Sequence, residues 1–278
     1  MGSGIAETVA IAGFDVVVRE VDERALGSAR QRLETSLRRA TDRGKIEPSA
    51  AEAVLERIVL TADVDAVRDA DLVIEAVPED ARLKTAVLRE VAKLVGEDAI
   101  IASNTSSIPI AQLAAAVPEP ERVLGLHFFS PVPVMRLVEI VVALDTDESV
   151  VATARAFVER LHKTPIETKD RSGFIVNMLL VPYLMAAVRM YEEGFATADA
   201  IDEGMTLGCG HPMGPLRLCD LIGLDVLYSV CDSLYEEFKR PEYAPPPLMK
   251  RMVASNRLGR KSGRGFYEYG QDRAAVPA

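Results

Sequence analysis

The chain has 278 residues, 49% hydrophobic and 27% charged, with a formal net charge of -10 at neutral pH. That length carries one large or two ordinary cores without stapling, and the composition is that of a globular protein. The acidic balance excludes a free nucleic-acid partner, apolar stretches broken by charge within about 18 residues argue against a membrane span, and the start lacks the pattern of a signal peptide.

Three cysteines, Cys209, Cys219 and Cys231, are odd in number and form no C-x-x-C pair, which fits a reducing cytoplasm. Against the acidic background Arg24, Arg30, Arg32, Arg38, Arg39, Arg43 and Lys45 cluster locally. A compact phosphate-bearing ligand could dock on them, and a solvated helix face is the competing reading.

The chain opens in a helix with apolar residues at Ile5, Val9 and Ile11 or Ala12, and Gly13 leads into a strand over 15–20 that ends on Glu20. A glycine-opened helix feeding a strand that ends in an acid is the second half of a dinucleotide-binding βαβ unit. Glycine admits the pyrophosphate to the helix N-terminus, and the acid takes the ribose hydroxyls. Only Gly2 remains of a G-x-G-x-x-G, so an ordinary glycine near a terminus competes with this interpretation. In the usual strand order the first strand lies in mid-sheet, and its absence would leave two neighbours unpaired. We therefore expect Met1 to be an internal methionine preceded by a strand and Gly-x-Gly, the alternative being a shortened form that has lost cofactor binding.

Further strands are expected at 57–61, 71–77, 98–103, 122–129 and 136–142, with helical periodicity over 22–44 and 80–95 between them. This alternation is a βαβ pattern with parallel strands. After Asp145 helical spacing takes over, from 147 to 162 and from about 173 to 256, and the polar stretch Thr164 to Arg171 serves as the boundary. The expected architecture is an α/β Rossmann-type nucleotide-binding domain over 1–168, its first strand missing, followed by an all-α domain over 169–278.

His127 lies in an uncharged strand-like run, Leu124 to Phe129, and Glu139 lies in a second one, Leu137 to Val142. An unpaired charge in such a run would be costly, so either each residue is neutral and hydrogen-bonded or the two hold each other as base and orienting carboxylate. Pro131 and Pro133 force a turn between the runs, which lets the strands lie side by side with His127 and Glu139 facing. A core histidine bonded to a backbone carbonyl is the bland alternative. His162 is expected at the surface and His211 in a Gly/Pro-rich loop, with no metal cluster.

Ser103-Asn104-Thr105-Ser106-Ser107, Gly125 to Met135, Arg171 to Asn177, Leu207 to Pro215 and Lys261 to Tyr267 together resemble the 3-hydroxyacyl-CoA dehydrogenase family, closest to its 3-hydroxybutyryl-CoA branch. The resemblance implies NAD as cofactor and reversible oxidation of a (3S)-3-hydroxyacyl-CoA to the 3-oxoacyl-CoA. His127 would be the general base, Glu139 its orienting partner, and Ser106 and Asn177 the polar groups at the substrate oxygen and nicotinamide. Gly2, Glu20, Glu79, Lys84, Asn104 and Lys261 align with cofactor contacts, although Lys84 could be a solvated helix residue and Asn104 could merely close a strand end. Ser36 and Arg43 align with coenzyme A contacts, which would give the basic cluster its purpose. The apolar stripe of Leu179, Leu180, Leu184, Val188 and Tyr191 reads as core, and the family implies a homodimer through this domain. The same chemistry on an acyl-carrier-protein thioester, or a non-catalytic dimeric homologue, are the competing functions.

Overall fold

Runs of Val and Ile form the strands of this protein because branched side chains suit a pleated, half-buried surface, and the charged spacing between them forms helices. The computed structural model describes residues 1–270, and it divides into two compact units, Met1–Asp170 and Arg171–Ala278. The first unit runs α1 (Gly2–Ile11), β1 (Val16–Arg19), α2 (Glu23–Asp42), α3 (Pro48–Glu56), β2 (Ile58–Thr61), β3 (Leu72–Glu75), α4 (Ala81–Val91), β4 (Ile100–Ser103), α5 (Ile110–Ala114), β5 (Val123–Phe128), β6 (Leu137–Val142), α6 (Glu148–Arg160) and β7 (Thr164–Lys169). Helix starts carry local caps: Asp22 accepts the Ala25 amide at 2.7 Å ahead of α2, and Asp80 accepts the Leu83 amide at 2.8 Å ahead of α4.

Strands β1 and β2 pair in parallel, and β3, β4, β5, β6 and β7 form a second set in that order. All neighbours in the larger sheet are parallel except β5 and β6, which run antiparallel across the proline turn. Among the described residues no ladder joins β1 to β3. This is the Rossmann-like, parallel-dominated arrangement the alternation implies. One strand was not among those expected. The polar stretch from Thr164 contains β7, laddered to β6 over all six residues. Its Thr-Pro-Ile-Glu-Thr-Lys sequence is that of an exposed edge strand, where proline is tolerated and apolar content is low.

Ile5 and Val9 of α1 pack with Ile100, Leu124, Leu126, Phe128, Val138, Ile140, Ala154 and Val158 in the core of the sheet unit. Each such aliphatic side chain contributes roughly 1.5–3 kcal/mol on full burial. Gly125 on β5 is required by this packing: a Cβ there would meet Val141 at 2.7 Å and Ile110 at 2.9 Å. The constraint falls two residues before His127, so the close approach of β6 and α5 also fixes the strand that carries the imidazole.

The second unit is helical among the described residues: α7 (Val176–Glu192), α8 (Ala198–Cys209), α9 (Pro215–Ile222), α10 (Leu224–Phe238) and α11 (Pro247–Ala254). Its core gathers Val181, Leu184, Met185, Val188, Leu216, Leu227, Cys231 and Leu234. Two acids hold its closing segment. Asp220 accepts the amides of Phe266 and Tyr267 at 3.0 Å each and the Tyr269 hydroxyl at 2.9 Å, while Asp202 takes the Leu216 amide and the Tyr267 hydroxyl. Burial raises the Asp220 carboxyl above its ordinary range, against the pull of the two amides.

Candidate active site

Antiparallel pairing of β5 and β6 puts His127 directly opposite Glu139. His127 Nδ1 and Glu139 Oε2 are 2.7 Å apart, and both side chains are buried. Against an ionised carboxylate, which only accepts, Nδ1 is the donor of this bond. Phe129 leans against the imidazole with ring centres 4.6 Å apart, fixing its plane from the side. The pair therefore has the geometry of a base and its orienting group: an imidazole of one tautomer, backed by a carboxylate with no water access.

The neighbouring strand ends carry a second network. Glu75 closes β3 fully enclosed and accepts from Lys84 Nζ at 2.9 and 3.1 Å, from Ser103 Oγ at 2.6 Å and from the Val77 amide at 2.6 Å. Lys84 also donates to the Val77 carbonyl at 3.1 Å and lies 3.3 Å from Glu79. With no exposed surface and its donors spent inside the unit, Lys84 is not a solvated helix residue. It holds in place the loop that carries Glu79. One oxygen of Glu79 then accepts the Thr105 hydroxyl at 2.6 Å and the amides of Ser106 and Ser107 at 2.8 and 3.1 Å. Burial alone would raise the Glu79 carboxyl, but the Thr105 bond, the Lys84 charge and the Ser106 amide together hold it below the ordinary range. Ser106 is thus half exposed on a loop whose backbone is tied down from behind.

Asn104 is buried, and its side-chain oxygen accepts the Phe128 amide at 2.9 Å, which ties the end of β4 to the residue after His127. Ser36 sits half buried on α2, bonded to the buried carboxyl of Glu7 on α1, whose proton affinity is raised by burial. Arg43 caps α2 at its C-terminus and is exposed, as are Arg24, Arg30, Arg32, Arg38 and Arg39 along that helix. In the helical unit Asn177 occupies the first turn of α7, and Lys261 is ion-paired with Asp225. His162 is exposed, and His211 bonds to the Tyr183 hydroxyl at 3.1 Å.

Several functional supports escape the sequence interpretation. Glu75 had the same signal as Glu139, an acid inside an apolar run. Lys163 is buried, donates to the carbonyls of Val132 and Met135 at 2.6 Å each, and so pins the proline turn between the strands of His127 and Glu139. Desolvation lowers the Lys163 ammonium from its ordinary value. Asp170 takes the amides of Ile110 and Ala111 at the start of α5. Neither Lys163 nor Asp170 pairs here with a side chain whose type would have announced it.

The first turn of α1 is Gly2-Ser3-Gly4, with no acid in it and no side-chain cap on its amides. Gly4 packs so closely on the proline turn that a Cβ would lie 3.2 Å from Val132. Glu20 follows β1, 31% exposed. A small-residue helix start beside a strand-end acid fits a dinucleotide. A nucleotide-binding α/β unit enclosing a His–Glu pair is consistent with a nicotinamide-dependent dehydrogenase. The chain belongs to the 3-hydroxyacyl-CoA dehydrogenase family: the profile of that family's NAD-binding domain matches residues 1–171 and that of its C-terminal domain residues 173–269. A 3-hydroxybutyryl-CoA dehydrogenase of Mycobacterium tuberculosis is 51% identical over 271 residues, 97% of this chain and 95% of that protein. The mitochondrial hydroxyacyl-coenzyme A dehydrogenase of Sus scrofa is 41% identical over 276 residues, 97% of this chain and 88% of its own. The crystal structure of (S)-3-hydroxybutyryl-CoA dehydrogenase from Ralstonia eutropha superposes with a TM-score of 0.92 at 43% identity, covering 98% of this chain and 96% of that one. NAD is accordingly the cofactor.

Proposed function

We propose that the protein catalyses the reversible oxidation of (3S)-3-hydroxybutyryl-CoA to the 3-oxoacyl-CoA, with His127 as the general base. The observation that carries this is the 2.7 Å contact between His127 Nδ1 and Glu139 Oε2 on buried, paired strands. His127 Nε2 takes the substrate hydroxyl proton as the C–H bond at the same carbon breaks, and Glu139 stabilises the imidazolium that results. NAD, when bound, supplies the acceptor for the hydride. In the reverse direction the imidazolium returns its proton to the oxygen.

The Ser106 hydroxyl and the Asn177 amide are uncharged donors suited to the substrate oxygen and the nicotinamide end. Gly2, Glu20, Glu79, Lys84, Asn104 and Lys261 serve the cofactor, with Lys84 acting through Glu79. Ser36 and Arg43 serve the coenzyme A end, where the exposed arginines of α2 favour its phosphates. We further infer a homodimer formed by the helical unit, supported by strongly exposed Leu179, Phe195 and Leu207. A reducing cytoplasmic setting is supported by three free cysteines, of which Cys219 and Cys231 are buried; desolvation raises the Cys231 thiol to about 12. No helix among the described residues is long and apolar enough to cross a membrane.

The test is formation of reduced nicotinamide on 3-hydroxybutyryl-CoA, run beside the matching carrier-protein thioester and beside NADP. Turnover on the coenzyme A ester with NAD is the expected result. Turnover confined to the carrier-protein ester would reassign the substrate, and none on either would remove the proposed activity.

A further inference from the structure

The cation nearest the proposed ribose site is not one of those adjacent to Glu20 in sequence. Arg32, more than two turns into α2, reaches back to the start of α1. Its Nε donates to Ser3 Oγ at 3.2 Å, and its Nη2 lies 4.0 Å from Glu20 Oε1. Ser3 belongs to the helix turn read as the pyrophosphate seat, and Glu20 to the strand end read as the ribose seat.

Arg32 is 59% exposed and Glu20 31%, so water screens the pair and it contributes little to folding. Its placement is therefore free to serve a ligand. A carboxylate at this strand end accepts ribose hydroxyls and repels a 2′-phosphate, whereas an arginine at the same place receives that phosphate through its planar fork of donors. Here both sit together, the acid at the strand end and the arginine beside it.

We propose that Arg32 is a latent 2′-phosphate anchor masked by Glu20, and that these two side chains together set the choice between NAD and NADP. The proposal rests on Glu20 being the ribose-binding acid. In the natural protein Glu20 engages the ribose and draws the guanidinium toward itself and Ser3. Once the acid is neutralised, the guanidinium can turn to the phosphate.

The experiment measures dissociation constants of NADH and NADPH by the nucleotide's own fluorescence, for the natural protein, Glu20→Gln, Arg32→Gln and the double variant. Both side chains are open to solvent, so melting temperatures close to that of the natural protein certify the fold. Glu20→Gln should tighten NADPH about tenfold or more, the worth of a charge-assisted arginine–phosphate contact, and weaken NADH. Adding Arg32→Gln should cancel the NADPH gain, while Arg32→Gln alone leaves NADPH weak. An equal gain with and without Arg32, no gain at all, or NADPH bound as tightly as NADH by the natural protein would each overturn the proposal. Where NADH binding persists in these cases, the nucleotide site itself stands. Failure of the natural protein to bind either nucleotide would instead bring down the site on which the proposal depends.

Discussion

At the scale of single residues the chemistry rests on which groups can exchange a proton and which cannot. Glu139 has no exposed surface and sits 2.7 Å from Nδ1, and its proposed part is to hold one tautomer and to stabilise the cation formed on the ring. With His127 as the proposed general base, His127→Gln should lower kcat by about 10²–10⁴, the weight of such a base, with little change in NADH affinity. Glu139→Gln keeps shape and an acceptor oxygen but loses the charge that stabilises the imidazolium, so it should lower kcat less and move the pH profile. Steady-state kinetics with a parallel NADH titration separate these outcomes, and near-normal turnover of His127→Gln would remove the base from its role. The pair was readable in the sequence because two uncharged runs each held one ionisable residue and two prolines forced the chain back. Lys163 was unreadable for the opposite reason: it bonds to backbone carbonyls, which every residue has.

At the scale of elements, helix α1 and the proline turn position that pair; α1 contains the buried Glu7 and the turn is held by the buried Lys163, neither with an opposite charge bonded to it. Glu7 on α1 is 2% exposed, and burial raises its carboxyl above the ordinary value, partly offset by the Ser36 hydroxyl. The folded state therefore holds this proton more tightly than the unfolded chain. The contribution is complete below the unfolded value and is lost as pH rises through the folded one. Glu7→Gln should consequently raise Tm at about pH 8 by roughly 2–4 °C, the shift that about 1 kcal/mol produces in a domain of this size, and do little near pH 4.5. Thermal melts at the two pH values decide it; an equal effect at both would show that ionisation of Glu7 carries no cost. For the turn, Lys163→Met preserves length but leaves the carbonyls of Val132 and Met135 unpaired. It should cost about 1–3 kcal/mol, read as a lower urea midpoint with unchanged slope, and no loss would mean that water replaces the ammonium. Elements were legible where branched residues ran together, and β7 was not. An exposed edge strand needs no apolar run, and its Thr-Pro-Ile-Glu-Thr-Lys is indistinguishable by composition from a loop.

At the scale of the whole molecule, the change to helical spacing after Asp145 precedes the unit boundary at Asp170 because α6 and β7 still belong to the sheet unit. Within the helical unit the stripe read as core divides: Leu184 and Val188 are fully buried, while Leu179, five residues earlier than Leu184 on the same helix, is 73% exposed. Leu207 on α8 at 84% and Phe195 at 79% are more exposed still. Scattered apolar residues at a surface are ordinary, so exposure alone does not make an interface. Three large side chains this open in one helical unit of a strongly acidic protein nevertheless give dimerisation a specific and breakable form. Charges at interface cores are strongly depleted, and truncating an interface anchor costs about 2 kcal/mol or more. The combined variant Leu179→Asp, Leu207→Asp should therefore sediment with the mass of one chain where the natural protein sediments with that of two. Its unfolding transition at matched monomer state should be unchanged, because neither side chain enters the helical core. A natural protein that sediments as a single chain, or a variant that remains a dimer, would mean that these leucines face water for no associative purpose.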